Sequence, residues 1–390
     1  MNNIDEILTR RVEKVLPSKD GLKRLMQVKK IKLYQGFDAT GGRLHLGHSV
    51  GIRKLMDFAN AGHEVIFLFG TGTVLAGDPS GRDTGRKLIT EDEVEENIKS
   101  WREQVSPLVD WDKIKILKNG DWLKDLKLQD IINIASNISA VQLFKREMFQ
   151  RRIDAGDTVW YHETMYPLLQ GYDSVYMDVD LEIGGTDQEF NMLVGRELMQ
   201  KMKSKEKFVL TTPMILGTDG GKMSKSRGNC IWLDDPPNDM FAKIMALIDS
   251  QIVTYMQLVT DIPMERIEAV EKGLKEGTIH PLDAKKELAL AVVAQLHSEE
   301  SAVAAKEAFE KTVQKGELPE DLETVMVENE TTVVDLIAKV LGSKSEAKRL
   351  LSQKAIEING SVVENPSTKL VGEENIKIGK KKFIRTKISN

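Results

Sequence analysis

The chain has 390 residues, 41% hydrophobic and 29% charged, with a formal net charge of −5 and one cysteine, Cys230. This composition fits an ordinary globular protein of two or three domains. It excludes an internal disulfide and a cysteine-based metal site. No apolar run approaches the roughly 18 residues of a membrane helix, and the first residues lack a signal-peptide core, so the expected location is cytoplasmic, with no membrane partner.

In chain order, "MNNIDEILTRRVEKVL" has an amphipathic helical pattern. "IKLYQGF" (31–37) reads as a strand, "SVGIRKLMDFANAG" (49–62) as a helix and "EVIFLFG" (64–70) as a second strand. Thr90 stands three residues before Glu93, a capping box at a helix start. "IKIL" (114–117) is a third strand candidate, and helical patterns run from about 126 to 150. "SVYMDVDLEIGG" (174–185) looks like a further strand, followed by a helix from Asp187. This alternation predicts an α/β fold: a parallel, Rossmann-like sheet with a helical insertion at about 120–165 between its halves. From 238 to 313 the pattern is helical, with Pro263 and Pro281 at helix starts. "KGELPEDLETVMVENE" (315–330) has six acidic residues and no clear period, and reads as a linker. The last 60 residues suggest two short helices and short strands, a small α+β domain. They carry 12 Lys+Arg against 6 Asp+Glu, or +6, leaving −11 on the rest. An acidic body with a basic tail suits contact with a polyanion through the tail, although a merely Lys-rich terminus has the same charge.

Two stretches carry chemistry. "HLGH" sets His45 and His48 at i, i+3 at the mouth of a predicted helix, where unpaired N–H groups attract anions. Gly47 lets a bulky group approach the backbone. Two imidazoles there can donate to a phosphate; two surface histidines or a metal pair remain alternatives, and no third metal ligand lies nearby. "GGKMSKSRGN" (220–229) packs Lys222, Met223, Ser224, Lys225 and Ser226 between glycines, a donor-rich loop able to close on a triphosphate. Farther along, Tyr166, Gln170 and Asp173 lie at i, i+4, i+7 and so share one helical face, either in a pocket or towards water. Asp173 and a phenol at Tyr34 could both bond a substrate hydroxyl.

Together, "HLGH" and "KMSKS" resemble the paired signature of class I aminoacyl-tRNA synthetases, with Leu46 in place of the usual isoleucine. "YQGFDATGGRLHLGH", "GDPSGR" and "YPLLQGYD" resemble the bacterial tyrosyl-tRNA synthetases, and the resemblance runs from about Lys32 to the C-terminus. It implies activation of L-tyrosine by ATP, with Mg²⁺ accompanying the nucleotide, no structural metal, and transfer to the 3′-terminal adenosine of tRNA(Tyr). Tyr34, Asp78, Tyr166, Gln170, Asp173 and Gln188 match tyrosine contacts. Gly36, Asp38, Thr40, His45, Gly47, His48, Gly184, Gly185, Asp187 and Lys222–Ser226 match the ATP site. His45, His48, Lys222, Lys225, Arg82 and Arg86 are the implied catalytic set. Arg82 stands where lysine is common, and Gly51 where a hydroxyl residue can occur, so no ATP contact is assigned to Gly51. The tail resembles a small ribosomal-protein-like RNA-binding module, with Lys344, Lys348 and Arg349 as phosphate contacts. The implied layout is a catalytic domain over 1–227, an α-helical anticodon-side domain over 228–314, the linker, and an RNA-binding domain over 331–390. A homodimer through the insertion is implied as well. A tryptophan enzyme or nucleotidylyltransferase of the same superfamily, and a non-catalytic RNA-binding relative, are the competing readings. Asp173 with Tyr34 argues against the first, since indole has no hydroxyl. The intact motifs argue against the second.

Overall fold

The computed structural model describes residues 4–78, 90–145, 147–224, 227–311, 323–379 and 382–388. Its larger sheet contains β1 (Lys14–Leu16), β2 (Lys32–Phe37), β3 (Glu64–Phe69), β4 (Ile114–Lys118), β5 (Leu181–Gly185) and β6 (Phe208–Thr212). The order is β1-β6-β5-β2-β3-β4. Every neighbouring pair is parallel except β1 with β6. From β2 the chain moves outward to β3 and β4, then returns to the other side for β5 and β6. The reversal lies between β2 and β5, where the carboxyl ends of the strands open a crevice. β3 is an unbroken apolar run because both faces are covered: Val65 to Phe69 are all buried.

The helix Leu46–Asn60 follows β2, and Glu91–Val105 begins at the expected capping box of Thr90 and Glu93. Tyr161–Met177 and Glu189–Lys203 flank β5. These two helices cross closely at Gly171 and Gly195, where a Cβ on Gly171 would come 3.1 Å from the Gly195 nitrogen. Pro263 caps Met264–Glu276, and Pro281 opens Pro281–Leu296. No described helix is long and apolar enough to cross a membrane.

Three sequence expectations need correction. The N-terminal helical pattern yields a helix only over Ile4–Ile7; Lys14–Leu16 pairs instead with β6 as an antiparallel edge strand. The strand expected over 174–185 starts only at Leu181, because the preceding helix continues to Met177 and stops at Asp178 with φ 50°. Asp tolerates that left-handed geometry better than most residues. In the expected linker, Glu323–Val327 is a strand, β7, parallel to β11 (Lys382–Ile388). β6 had no counterpart among the predicted strands.

The chain divides into two compact units, residues 1–302 and 303–390. The helices from Pro237–Met245 to Pro281–Leu296 fall in the first. The second holds helices Val333–Leu341 and Lys344–Ser352 against a sheet of order β7-β11-β10-β8-β9, with β8 Ile356–Ile358, β9 Ser361–Val362 and β10 Asn375–Ile378. Leu336, Ile337, Leu351, Ile356, Ile376 and Ile384 form its core. Asn359 and Gly360, the turn between β8 and β9, both have positive φ.

Candidate functional site

The crevice beyond β2 and β5 is a cavity of about 420 Å³, within the usual range for small-ligand sites. The strand ends supply Gly36, Asp38, Gly184 and Gly185; the helix Tyr161–Met177 supplies Tyr166, Gln170 and Asp173 from one face. Tyr34, Thr40, His45, Gly47, His48, Asp78, Asp187, Gln188, Lys222 and Met223 complete the expected residues that line it. Residues from five separate stretches are thereby brought together. Ser224 is described but does not line the cavity. Arg82, Arg86, Lys225 and Ser226 lie outside the described residues. Lys344, Lys348 and Arg349 belong to the second unit, on or beside its helix Lys344–Ser352.

At one end, Asp173 and Tyr34 are almost fully buried. Asp173 Oδ2 accepts from Asn119 Nδ2 and Oδ1 from Trp122 Nε1, both at 2.9 Å. Burial pushes the Asp173 carboxyl well above the usual carboxylate range, against the pull of those two donors. Each oxygen keeps a further lone pair for a ligand hydroxyl. The Tyr34 hydroxyl lies 2.9 Å from Ser174 Oγ.

Higher in the cavity, Tyr166 donates to Asp38 Oδ2 at 2.9 Å and Thr73 to Asp38 Oδ1 at 2.8 Å. Asp38, expected beside the nucleotide, thus also anchors a residue expected to touch tyrosine. Gln188 Nε2 donates to Asp78 Oδ2 at 2.9 Å, and Asn191 Nδ2 bridges the amide oxygens of Gln170 and Gln188 at 3.0 and 3.1 Å. Carboxylates and oriented amides suit an ammonium group there.

At the other end, His45 is the N-cap of the helix Leu46–Asn60. Its Nδ1 accepts from Gly47 N at 3.1 Å, and His48 Nδ1 accepts from His45 N at 3.2 Å. With its Nδ1 serving as acceptor, the neutral His45 ring carries its proton on Nε2; His48 Nδ1 faces both the amide and the carbonyl of His45, at 3.2 and 3.3 Å, and its role follows the tautomer. Desolvation lowers the pKa values of His45 and His48 to about 3 and about 4. Both are therefore neutral donors near pH 7. Three links stitch the helix mouth to the chain just beyond the 220–229 loop: Leu46 N to Ile231 O at 2.9 Å, Leu233 N to Leu44 O at 2.8 Å, and Arg43 Nε to Asp234 Oδ1 at 2.8 Å. Asn229, itself buried, donates to Asp219 at 2.7 Å and accepts from Ser224 N at 2.9 Å, fixing the loop's described part.

These histidines make a pH prediction. In the unfolded chain each takes up a proton near its ordinary pKa of roughly 6.5, whereas the folded protein resists uptake until about 4 and about 3. Stability should fall as pH drops from 6.5 towards 4 and gain nothing from these groups above 6.5. Urea midpoints at pH 7 and pH 5 should differ less in a His48→Asn variant than in the parent. An unchanged difference would contradict the burial account.

Sequence reasoning missed Asn119, Trp122, Thr73, Ser174, Glu182 and Asn191. Asn119 had one available signal, since it follows β4 at the carboxyl end of a parallel strand. Among the described residues no group of three or more His, Cys, Asp or Glu is placed to hold a metal.

Residues 26–314 match the family described as tRNA synthetases class I (W and Y), and residues 333–376 match the S4 domain. Tyrosine–tRNA ligase of Thermotoga maritima is 40% identical over 97% of this chain and 96% of its own length. That of Aquifex aeolicus is 38% identical over 95% of each. The crystal structure of tyrosyl-tRNA synthetase from Archaeoglobus fulgidus complexed with L-tyrosine shares the fold at TM-score 0.62 and 23% identity, covering 78% of this chain and all of that one. A near-full-length match at this identity and the two family matches agree with the site's layout: the chain belongs to the tyrosine–tRNA ligase family of class I aminoacyl-tRNA synthetases, ligases here carrying a C-terminal S4 domain.

Proposed function

We propose that this cavity activates L-tyrosine with ATP and that the product adenylate passes its tyrosyl group to the 3′-terminal adenosine of tRNA(Tyr). The observation that carries this reading is the buried Asp173 carboxyl, held by Asn119 and Trp122, in a cavity also lined by Tyr34 and by the His45–His48 helix mouth. The substrate phenol binds between Asp173 and Tyr34, and its ammonium sits among Asp78, Tyr166, Gln170 and Gln188. Its carboxylate then faces the nucleotide. One carboxylate oxygen forms a bond to the α-phosphorus as the bond to pyrophosphate breaks. No side chain need act as nucleophile, so rate comes from orientation and from donors that meet developing charge. His45 supplies one such donor through Nε2 and His48 a second imidazole, and Lys222 with Lys225, Arg82 and Arg86 supplies positive charge. Asp187, Gly184 and Gly185 suit the ribose, with Gly36, Asp38, Thr40, Gly47 and Met223–Ser226 around the nucleotide. Mg²⁺ accompanying ATP would neutralise part of the phosphate charge.

In the S4 unit, Lys344 pairs with Asp335 at 2.9 Å and Arg349 with Glu346. Exposed pairs of this kind are worth about 0–1 kcal/mol, so tRNA phosphates can replace the carboxylates. Residues 228–314 serve the anticodon side, and the enzyme works in the cytoplasm.

A homodimer through the insertion fits its exposed apolar side chains, Leu128, Ile132, Val141, Trp160 and Tyr161, the last 79% exposed. An Ile132→Asp/Tyr161→Asp double variant should sediment as a monomer, where the parent sediments as a dimer; an unshifted dimer would place the contact elsewhere. For the site itself, a crystal structure with L-tyrosine bound is the test. The phenol oxygen should lie within hydrogen-bond distance of Asp173 and Tyr34. A ring lodged elsewhere, or reversed, would overturn the assignment.

A further inference from the structure

Behind the Tyr34 hydroxyl lies a buried ion pair. Lys207 donates to Ser174 Oγ at 2.8 Å, to Met192 O at 3.2 Å and to the Glu182 carboxylate. Lys207, Ser174 and Tyr34 have no exposure, and Glu182 has 1%. Such pairs are weak contributors to stability, since desolvation offsets their attraction and apolar replacements are often neutral or better. Yet the fold makes room for this one. A Cβ on Gly195 would stand 2.6 Å from Lys207 Nζ, at the same helix crossing where Gly171 meets Gly195.

We propose that Lys207 is a positioning residue for substrate choice: through Ser174 it sets the direction of hydrogen bonding so that the Tyr34 hydroxyl donates into the cavity. This rests on reading the Tyr34–Asp173 end as the phenol site. An ammonium has three donors and no acceptor, and all three protons of Lys207 have acceptors. Ser174 Oγ must therefore accept from Lys207, and its single proton goes to a neighbour. The Tyr34 oxygen is at 2.9 Å; Glu182 Oε2, already bound by Lys207, is at 3.4 Å. The nearer partner takes the proton. Tyr34 is then left to donate; Gln170 O lies at 3.5 Å, longer than a good bond, and the Glu182 carboxylate, which also acts on this hydroxyl, is already held by Lys207 and Gln170. An incoming phenol oxygen accepts from Tyr34 and gives its own proton to Asp173. Phenylalanine would offer no oxygen to the Tyr34 proton and no proton to Asp173, which would keep only Asn119 and Trp122. Glu182 Oε1 also accepts from Gln170 Nε2 at 2.9 Å, so the same pair pins an amide on the ammonium side.

The test uses the full-length protein in tyrosine- and phenylalanine-dependent ATP–pyrophosphate exchange. Ser174→Ala cuts the relay alone. Lys207→Met with Glu182→Gln removes the pair without stranding a buried charge. Each should reduce the tyrosine-over-phenylalanine ratio of kcat/KM by about tenfold and leave KM for ATP unchanged. The triple variant should lose no more than either, since both changes cut one relay. Asp173→Asn is run alongside. If it abolishes tyrosine preference while Ser174→Ala keeps the parent ratio, the relay is wrong and the phenol site stands. If Asp173→Asn leaves tyrosine use intact, both fall. Should the Lys207→Met/Glu182→Gln protein not fold, Ser174→Ala decides alone.

Discussion

Asp173→Asn should reduce kcat/KM for tyrosine by roughly 100-fold or more while KM for ATP stays at the parent value. The carboxylate takes one hydrogen bond on each oxygen, from Asn119 Nδ2 and Trp122 Nε1. A carboxamide has one acceptor and one donor end. Whichever way it turns, an N–H faces an N–H, and a buried donor loses its partner. That costs about 1–3 kcal/mol, and losing a charged acceptor for the phenol adds about 1.5–3 kcal/mol. Since about 1.4 kcal/mol is a factor of ten, the sum corresponds to roughly two to four decades. The effect should fall on tyrosine because Asp173 is the proposed partner of its phenol, whereas His45, His48 and Lys222 serve the nucleotide. Initial-rate exchange kinetics with each substrate varied separately would check it; parent-like KM for tyrosine would refute the phenol-partner role.

The second large effect is expected at His45, where cap and donor functions need separating. Removing a preorganised donor to developing charge typically costs 10²- to 10³-fold in kcat, or about 2.7–4 kcal/mol. Alanine would also remove the N-cap bond to Gly47 N, worth about 1 kcal/mol of stability. Asparagine is a preferred cap and lacks the ring's Nε2 donor. His45→Asn should therefore keep the parent melting temperature and lose about two decades in the rate of adenylate formation, with little change in the affinity of either substrate. His45→Ala should lose both rate and stability. A His45→Asn protein that forms adenylate at the parent rate would leave His45 a structural cap only. Single-turnover measurements in stopped flow separate these outcomes.

Much of the frame was readable from residue pattern. β2 and β3 are apolar runs bounded by turn residues, and the Thr90–Glu93 box marks a helix start by local chemistry alone. The elements that went astray depend on partners far along the chain. Lys14–Leu16 becomes a strand because β6 offers an edge 195 residues later, at Thr211, Leu210 and Val209. Glu323–Val327 becomes one because β11 does. At 174–180 a dense apolar run fits helix and strand alike, and only the left-handed turn at Asp178 decides. The site divides in the same way. Residues such as His45 and Asp173 carried a signal in spacing, and Gln188 in the family resemblance alone. Asn119, Trp122, Ser174 and Lys207 carry no motif in sequence, and act only by what they touch once the sheet is assembled. Charge state was also out of reach. The pattern allowed His45 and His48 with or without charge, and burial at the helix mouth makes them neutral.

The most direct test of the account is ATP–pyrophosphate exchange by the parent protein with a panel of amino acids. A cavity that ends in Asp173 and Tyr34 should support exchange with tyrosine, and far less with phenylalanine or tryptophan, which bring no hydroxyl to that end. Exchange in which tryptophan or phenylalanine outcompetes tyrosine would contradict it.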